Sequence, residues 1–491
     1  MRSCTLLLAL SAGAFAQMRV MPLPSKSPVV TFRVVFTTGS ASDPEEKPGV
    51  ANLAAMMISD GGTKDLSYKQ IVEAMFPMAA SVSSQVDKEM TTFSGATHVD
   101  NLEAYYKLFR AMLLEPGWRA EDFRRLRDDA VNYLKVTLRG NNDEELGKEV
   151  LYNRIYAGTL YGHENAGSIS ALEKITLDDL KDFYRRHYTQ ATLVLGLAGG
   201  YPPAFLEKMK ADFRAALPKQ GTFAAVRLEP PRPITHNRMT IVEKDTRSVA
   251  YSLGFPIAVA RASPDYPALL VAMAYFGPHR NSSGRLYQRM RSVRGLNYGD
   301  YAYIEYFPRG MFLMEPSPNL VRQEQIFQIW IRPVEPSTAV FSLRLAMFEL
   351  NRLVHDGLSR EEFARTREFV SKYVNILTRS KRAELGYAID SLVYGIPPYN
   401  EYIRSKLAAL TREDVNRAIQ RNLRVDRIQI VAVARDAQAL KDKLVTGAAS
   451  PMTYNSPKPP DIVEEDKAVA TWNLGLRPED VTIVPLEQVF Q

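Results

Sequence analysis

The sequence predicts an α+β protein made of two homologous repeats, each an antiparallel sheet covered by helices, followed by an extended C-terminal tail. Three observations support this prediction. Blocks of sequence in the first half of the chain recur in the second half. Each half begins and ends with an apolar segment typical of a strand. The helical stretches lie together between these segments, and such segregation favours antiparallel sheets.

The duplication is visible in three separated blocks. The stretch GWRAEDFRRLRDDAVNY, residues 117–133, matches GLSREEFARTREFVSKY, residues 357–373, at an offset of 240. Further on, ELG at 145–147 matches ELG at 384–386 at an offset of 239, and ITLDDL matches LTREDV. Chance matches would not keep their register across three blocks. The chain is therefore a tandem duplication of units of roughly 215–240 residues.

The elements of each repeat follow the same order. A strand is predicted at VVTFRVVFTTGS in the first repeat and at SVAYSLGFPI in the second. Two long amphipathic helical stretches follow, one of them the repeated block with its acidic first turn. The segments ATLVLGLAG and IQIVAVARD then predict a closing strand in each repeat.

Proline-rich segments mark the predicted boundaries. We place the N-terminal repeat at 17–217, a linker at 218–238, the C-terminal repeat at 239–445 and the tail at 446–491. The tail contains SPKPPD and ends in DVTIVPLEQVF, so we expect an extended arm with one short strand. That strand is a candidate for addition to the sheet edge of another chain.

Residues 1–16 have the three regions of a secretory signal peptide. A positive Met1-Arg2 precedes a short apolar stretch, and Ala14-Phe15-Ala16 supplies the cleavage pattern. The alternative interpretation is the hydrophobic start of a cytosolic protein. We expect export, with the mature chain periplasmic or secreted. The apolar stretch is too short to span a bilayer, and we predict no membrane-spanning segment after it.

The composition argues against several classes of function. Of 491 residues, 46% are hydrophobic and 24% charged, which is typical of globular proteins. Cys4 is the one cysteine, so cleavage would leave neither disulfides nor thiolate chemistry. The net charge of +7 is spread over interleaved acidic and basic residues, so nucleic-acid binding is not expected.

The stretch PEEKPGVAN, the two α+β halves and the later SGRLYQRMRSVRGLNYG together resemble the pitrilysin/insulinase family of zinc peptidases, the inverzincins. The resemblance covers the mature chain up to the tail. The first helix of this family carries His-x-x-Glu-His. Its two histidines bind Zn²⁺, its glutamate acts as general base, and a glutamate from a later helix is the third ligand.

Aligned on Lys-x-Gly-x-Ala, the resemblance places the first histidine at Asn52, the base at Ala55, the second histidine at Met56 and the third ligand near Leu134. Alanine and leucine have no donor atom, and methionine and asparagine are poor partners for Zn²⁺. We therefore expect no metal in this chain and no peptidase activity of its own.

The histidines give no support for a different metal site. No two of the six are spaced at i, i+3 or i+4, and we interpret His163 in YGHENAG as a hydrogen-bonded loop residue. The other five are His98, His187, His236, His279 and His355.

The segment MRSVRGLNY matches residues that the family contributes from its other half. The resemblance implies that Arg291 and Tyr298 bind the substrate and stabilise the reacting carbonyl. In the bacterial two-subunit branch, one chain carries the zinc motif and its partner carries this Arg and Tyr. The resemblance thus implies an inactive subunit of an exported heterodimeric zinc metallopeptidase, with Zn²⁺ in the partner subunit. The alternatives are a scaffold without a role in proteolysis and an active enzyme with a non-standard site.

Overall fold

A computed structural model describes residues 18–220, 227–310, 313 and 315–491. The predicted signal peptide, 1–16, lies outside the described residues. The described chain forms two compact units. The first contains residues 18–43, 50–126 and 175–220, and the second contains 44–49, 127–174 and the residues from 227 onwards. The stretch 127–174, although part of the first sequence repeat, thus belongs to the second unit.

The first unit contains a five-stranded sheet. Its strands are β1 (Arg19–Pro24), β2 (Val29–Phe36), β3 (Val82–Val86), β4 (Thr91–His98) and β5 (Leu193–Gly199). They lie in the order β1-β5-β2-β4-β3. The β1-β5 pair is parallel and the other pairs are antiparallel. The sheet is therefore mixed at one edge rather than fully antiparallel as predicted.

The second unit contains a six-stranded sheet of related topology. Its strands are β6 (Arg238–Glu243), β7 (Val249–Ile257), β8 (Tyr301–Tyr303), β9 (Gln325–Val334), β10 (Gln429–Ala434) and β11 (Val481–Pro485). The order β6-β10-β7-β9-β8 reproduces the first sheet strand for strand, and β11 lies outside β6. The prediction of an α+β fold with two homologous repeats is confirmed.

Helices cover both sheets. None of those in the described chain has the length and apolar character needed to cross a bilayer. They are α1 (Val50–Ser59), α2 (Tyr68–Met75), α3 (Leu102–Leu114), α4 (Ala120–Asn132), α5 (Asp143–Ile155), α6 (Ile169–Lys174), α7 (Leu177–His187), α8 (Pro203–Ala216), α9 (Tyr266–Phe276), α10 (Ala339–Asp356), α11 (Arg360–Leu377), α12 (Lys381–Tyr394), α13 (Tyr399–Ala409), α14 (Arg412–Asn422), α15 (Ala437–Val445) and α16 (Pro460–Ala470).

The repeated sequence ITLDDL/LTREDV forms the same helix start twice. The amide of Thr176 donates to the Asp179 carboxylate at 2.8 Å, and the amide of Thr411 donates to Asp414 at 3.0 Å. In return each threonine hydroxyl accepts from the backbone N–H of its aspartate. Such capping boxes satisfy amides that the first helical turn leaves unpaired. The matched sequences thus form the same N-terminal cap at the starts of α7 and α14.

The core of the first unit centres on Phe32 of β2. The ring centroids of four aromatic side chains lie 5.2–6.2 Å from its own. Three of them come from α3 and one from α8, so this cluster fixes both helices on the sheet. They are Tyr105, Tyr106, Phe109 and Phe205.

Helix α5 is buried against β7, β9 and β10 although it carries charged residues. The Lys148 side chain is fully buried and forms an ion pair with Glu145. Its ammonium also donates to the Phe307 carbonyl at 3.3 Å and lies 3.9 Å from the ring centroid of Trp330. A buried charge is tolerated only with such partners. These contacts tie a segment of the first sequence repeat to the sheet of the second unit.

The tail is more structured than the extended arm predicted from the sequence. It contains helix α16, which begins with a proline at its first helical position, where the missing N–H costs nothing. The predicted short strand is present as β11 and pairs in parallel with β6. After it, Phe490 accepts a hydrogen bond from the amide of Ile169 at 3.0 Å. β11 is thus the edge strand of the sheet in its own unit, and its addition to the sheet of another chain stays a prediction.

Replacing Lys148 by methionine should lower the free energy of unfolding by about 3–5 kcal/mol, because Glu145 would stay buried without its cation. Urea unfolding of the purified chain measures this change. The matched control is Lys372→Met, since Lys372 and Glu368 form a surface pair with side chains 74% and 67% exposed. This control should change stability by less than about 0.5 kcal/mol. Equal stability of the two variants would contradict the assignment of Lys148 as the necessary partner of the buried Glu145 carboxylate.

Candidate functional site

Helix α1 carries three of the positions at which the zinc peptidase motif would fall. Asn52 and Met56 keep part of their surface accessible, whereas Ala55 is fully buried. The Asn52 amide nitrogen lies 3.4 Å from the Met56 sulfur, as expected for residues four apart on a helix. The face therefore presents an amide and a thioether that contact each other. It offers neither an imidazole nor a carboxylate, the usual Zn²⁺ ligands of peptidases.

The fourth position, Leu134, lies in the second unit. It is fully buried in a π-helical segment, Tyr133–Leu138, that follows α4 directly. Its side chain packs as a core residue and has no donor atom. Across the described ranges, no group of three or more His, Cys, Asp or Glu side chains has a geometry suited to a metal ion.

Arg291 and Tyr298 lie close together on the surface of the second unit. A guanidinium nitrogen of Arg291 donates to the backbone carbonyl of Tyr298 at 3.2 Å. The guanidinium carbon lies 5.0 Å from the ring centroid of Tyr287 and 5.6 Å from that of Tyr298. Arg291 is thus held between two aromatic rings. Tyr298 is 78% exposed.

The loop between Arg291 and Tyr298 is fixed by its own hydrogen bonds. Gly295 adopts φ +69°, a left-handed conformation that lets the chain reverse after the helical turn. The Asn297 amide then donates to Asp300 at 2.6 Å and to the Arg332 carbonyl on β9 at 3.0 Å. The ring of Tyr298 therefore projects from a backbone anchored to the second sheet.

Asp300 is buried at the end of this loop. One carboxylate oxygen accepts from Asn297 and from the backbone amide of Arg332, the latter at 3.0 Å. Its other oxygen is buried and has no hydrogen-bond partner among the described residues. Burial raises the pKa of Asp300 to about 7, while the two hydrogen bonds oppose this change.

Arg294, three residues after the exposed Arg291, has a fully buried side chain. Its guanidinium donates to Asp466 and to Glu465 of α16, each at 2.8 Å. Glu465 also forms ion pairs with Arg289 and Arg352. The tail helix thus anchors the segment that carries Arg291. The sequence prediction missed this anchor, although the acidic run in DIVEEDKAVA was its visible signal.

Two family models match this chain. One, described as insulinase (peptidase family M16), matches residues 20–166, and the other, described as the peptidase M16 inactive domain, matches residues 174–370.

The chain belongs to the M16 family of peptidases.

The resemblance to insulinase-type peptidases that the sequence showed is therefore confirmed. An uncharacterized zinc protease of Bacillus subtilis is 21% identical over 274 residues, which are 56% of this chain and 64% of that protein. This chain thus spans a little under two thirds of that relative's length. A non-peptidase homolog of Helicobacter pylori is 19% identical over 414 residues, which are 83% of this chain and 89% of that protein.

The fold of the M16 chain is similar to that of a solved structure. The crystal structure of a peptidase M16 inactive domain from Pseudomonas fluorescens matches with a TM-score of 0.74 and 22% identity, over 85% of this chain and 95% of that one. The inactive-domain model also includes the segment with Arg291 and Tyr298. These matches identify the chain as a homologue of the M16 peptidases whose helix α1 carries Asn52, Ala55 and Met56 at the positions of the zinc motif.

Stability should depend on the ionisation of Asp300 next to the Arg291/Tyr298 loop. The folded state keeps this proton up to about pH 7, whereas the unfolded chain releases it near the ordinary pKa of 3.8. Asp300 therefore contributes stability at low pH that is lost as the pH rises through this window. Asp300→Asn cannot ionise, so its stability relative to the wild type should rise by on the order of 2 kcal/mol between about pH 5 and pH 8.

Urea unfolding at several pH values measures this difference. Asp128→Asn is the control, since the Asp128 side chain is 70% exposed and its replacement should leave the pH profile unchanged. If the free energies of unfolding of wild type and Asp300→Asn run parallel with pH, Asp300 is ionised over the whole pH range and the prediction is wrong.

Proposed function

We propose that this chain is the non-catalytic subunit of a heterodimeric zinc metallopeptidase and supplies Arg291 and Tyr298 to the zinc site of a homologous partner. The observation that carries the proposal is the contrast between the Arg291/Tyr298 loop and the zinc-motif positions on α1. Arg291 and Tyr298 are accessible and held in place by hydrogen bonds and ring contacts. The helix that holds zinc in active family members carries Asn52, Ala55 and Met56 instead.

The two side chains suit a reaction in which charge develops on oxygen. A peptide carbonyl attacked by hydroxide gains negative charge, and donors aimed at that oxygen lower the barrier. Arginine offers a permanent cation with five N–H groups, of which the Tyr298 carbonyl takes one. The tyrosine hydroxyl is a neutral donor on a stiff ring, and no described residue accepts a hydrogen bond from that of Tyr298. Zn²⁺ in the partner would supply the hydroxide.

Export is part of the proposal. The three regions of residues 1–16 support a signal peptide and a periplasmic or secreted complex. Purification of the chain from its native source, followed by mass spectrometry, tests both points. We expect an N-terminus near Gln17 and a co-purifying chain that carries His-x-x-Glu-His.

The purified chain alone should bind no stoichiometric zinc and should leave peptides intact. The reason is the absence of ligand side chains at Asn52, Ala55, Met56 and Leu134. Elemental analysis after dialysis measures the metal content, with the co-purifying zinc-motif chain as the positive control. One tightly held Zn²⁺ per molecule, or peptide cleavage by the isolated chain, would contradict the prediction.

Arg291→Ala and Tyr298→Phe should lower the turnover of the assembled complex without disrupting it. Removing one donor to a developing oxyanion typically costs about 10²–10³ in kcat, and we expect losses of one to three orders of magnitude. The measurement is kcat of the reconstituted heterodimer on a peptide pool, with gel filtration to confirm assembly. Arg404→Ala, at an exposed position of α13, is the control and should keep wild-type turnover. Wild-type turnover in both site variants would show that the chain acts only as a scaffold.

A further inference from the structure

The second unit contains a cavity of about 300 Å³ with an aromatic and acidic lining. This volume lies at the lower end of the range for small-ligand pockets. Two glutamates, Glu305 and Glu315, line it, together with apolar side chains from α9 and α11. Arg280 and Ser282 belong to the lining and are exposed, so the cavity opens to solvent beside them. Five tyrosines complete the wall: Tyr266, Tyr303, Tyr373, Tyr387 and Tyr399.

One buried cation forms ion pairs with two carboxylates at the cavity. The Arg261 guanidinium forms ion pairs with Glu305 and with Asp390, each at 2.8 Å. Asp390 also accepts from the backbone amide of Asn319 at 3.0 Å, and Glu305 accepts from the Tyr266 hydroxyl at 3.2 Å. These contacts join Arg261, Glu305 and Asp390 into one buried polar cluster.

Glu315 is an acidic group of the lining without a cation. Tyr373 lies beside it in the same wall, and within the described residues no basic side chain forms an ion pair with it. Burial raises the pKa of Glu315 to about 7, and the charge of Glu305 acts in the same direction. A positive group in the cavity would offset both the burial of the Glu315 carboxylate and its repulsion by Glu305.

The rings around Glu315 are suited to a cation with an apolar stem. Phe369 and Tyr373 stack with their centroids 5.0 Å apart, and Tyr303 lines the same cavity. Arg261 shows that such rings accept a cation here, since its guanidinium lies 5.0 Å from the Tyr387 centroid and 5.4 Å from that of Tyr399. Aromatic faces attract ammonium and guanidinium groups through their quadrupole.

We propose that this cavity binds an organic monocation, an ammonium or guanidinium on an apolar stem, with Glu315 as its counter-ion and Tyr303 and Tyr373 around the stem. An anion would face both glutamates, and a neutral ligand would leave Glu315 without a cation. The other charged or titratable groups at the cavity are Arg280 at the exposed rim and His279, which stays neutral because burial lowers its pKa to about 4. The site requires neither the partner subunit nor zinc.

Calorimetry on the full chain with matched probes tests the proposal. Choline is compared with its isostere in which carbon replaces the quaternary nitrogen, and N-acetyl-lysine methylamide with N-acetyl-norleucine methylamide. We expect at least one cation to bind about tenfold or more tighter than its neutral counterpart. Preference for choline alone identifies a free cation as the ligand, and preference for the lysine derivative alone identifies a peptide side chain. Equal binding of both members in both pairs would overturn the proposal.

Two variants and a pH series assign the effect to Glu315. Glu315→Gln should abolish the preference for the cation. Glu324→Gln should keep it, because burial also raises the pKa of Glu324 to about 7 but this residue is not part of the lining. In the wild type the cation affinity should rise roughly five- to tenfold from about pH 6 to pH 8, as Glu315 ionises. A preference that survives in Glu315→Gln, or a flat pH profile in the wild type, would exclude Glu315 as the counter-ion.

Discussion

The burial of charged residues on α5 is the constraint on which the second unit depends. Because Lys148 and its neighbours are removed from water, each needs a protein partner. Glu145 pairs with Lys148, and Glu149 accepts from the Tyr306 hydroxyl at 3.0 Å. Glu144 accepts from the hydroxyl of Tyr301 and pairs with Arg332 at 3.3 Å. The helix is therefore joined by polar contacts to the strands that it covers.

The same contacts extend to the Arg291/Tyr298 loop. Arg332, which pairs with Glu144, donates its backbone amide to Asp300, and Asp300 accepts from Asn297. On the other side of the loop, Arg294 is anchored by α16. The loop that carries the accessible Arg291 and Tyr298 is thus held by the hydrogen bonds of the buried Asp300 and by the contacts of the buried Arg294. Functional side chains need such support, because a donor displaced by about 1 Å loses much of its effect.

The sequence predicted what depends on local signals. The apolar strands β2, β5, β7 and β10 follow from short patterns, and the duplication showed that β2 corresponds to β7 and β5 to β10. Strand β1 was missed because its sequence RVMPLP contains two prolines, which only an edge strand tolerates. The place of α5 in the second unit, the anchor between Arg294 and α16, and the pairing of Arg261 with Glu305 join residues far apart in the chain. No local pattern encodes them.

The π-helical segments of the described chain contain two of the positions that the family resemblance singled out. Within the described ranges there are two of them, Tyr133–Leu138 with Leu134 and Tyr287–Ser292 with Arg291. A π-helical turn is less stable than a regular one, and such turns frequently mark functional positions. The repeat counterpart of Leu134 is Val374, which lies in the regular helix α11. The irregular backbone therefore does not follow from the repeated sequence itself. It occurs in the repeat where the family has its third ligand, although leucine now fills that position. The second such segment carries Arg291, for which we propose a role at the zinc site of a partner.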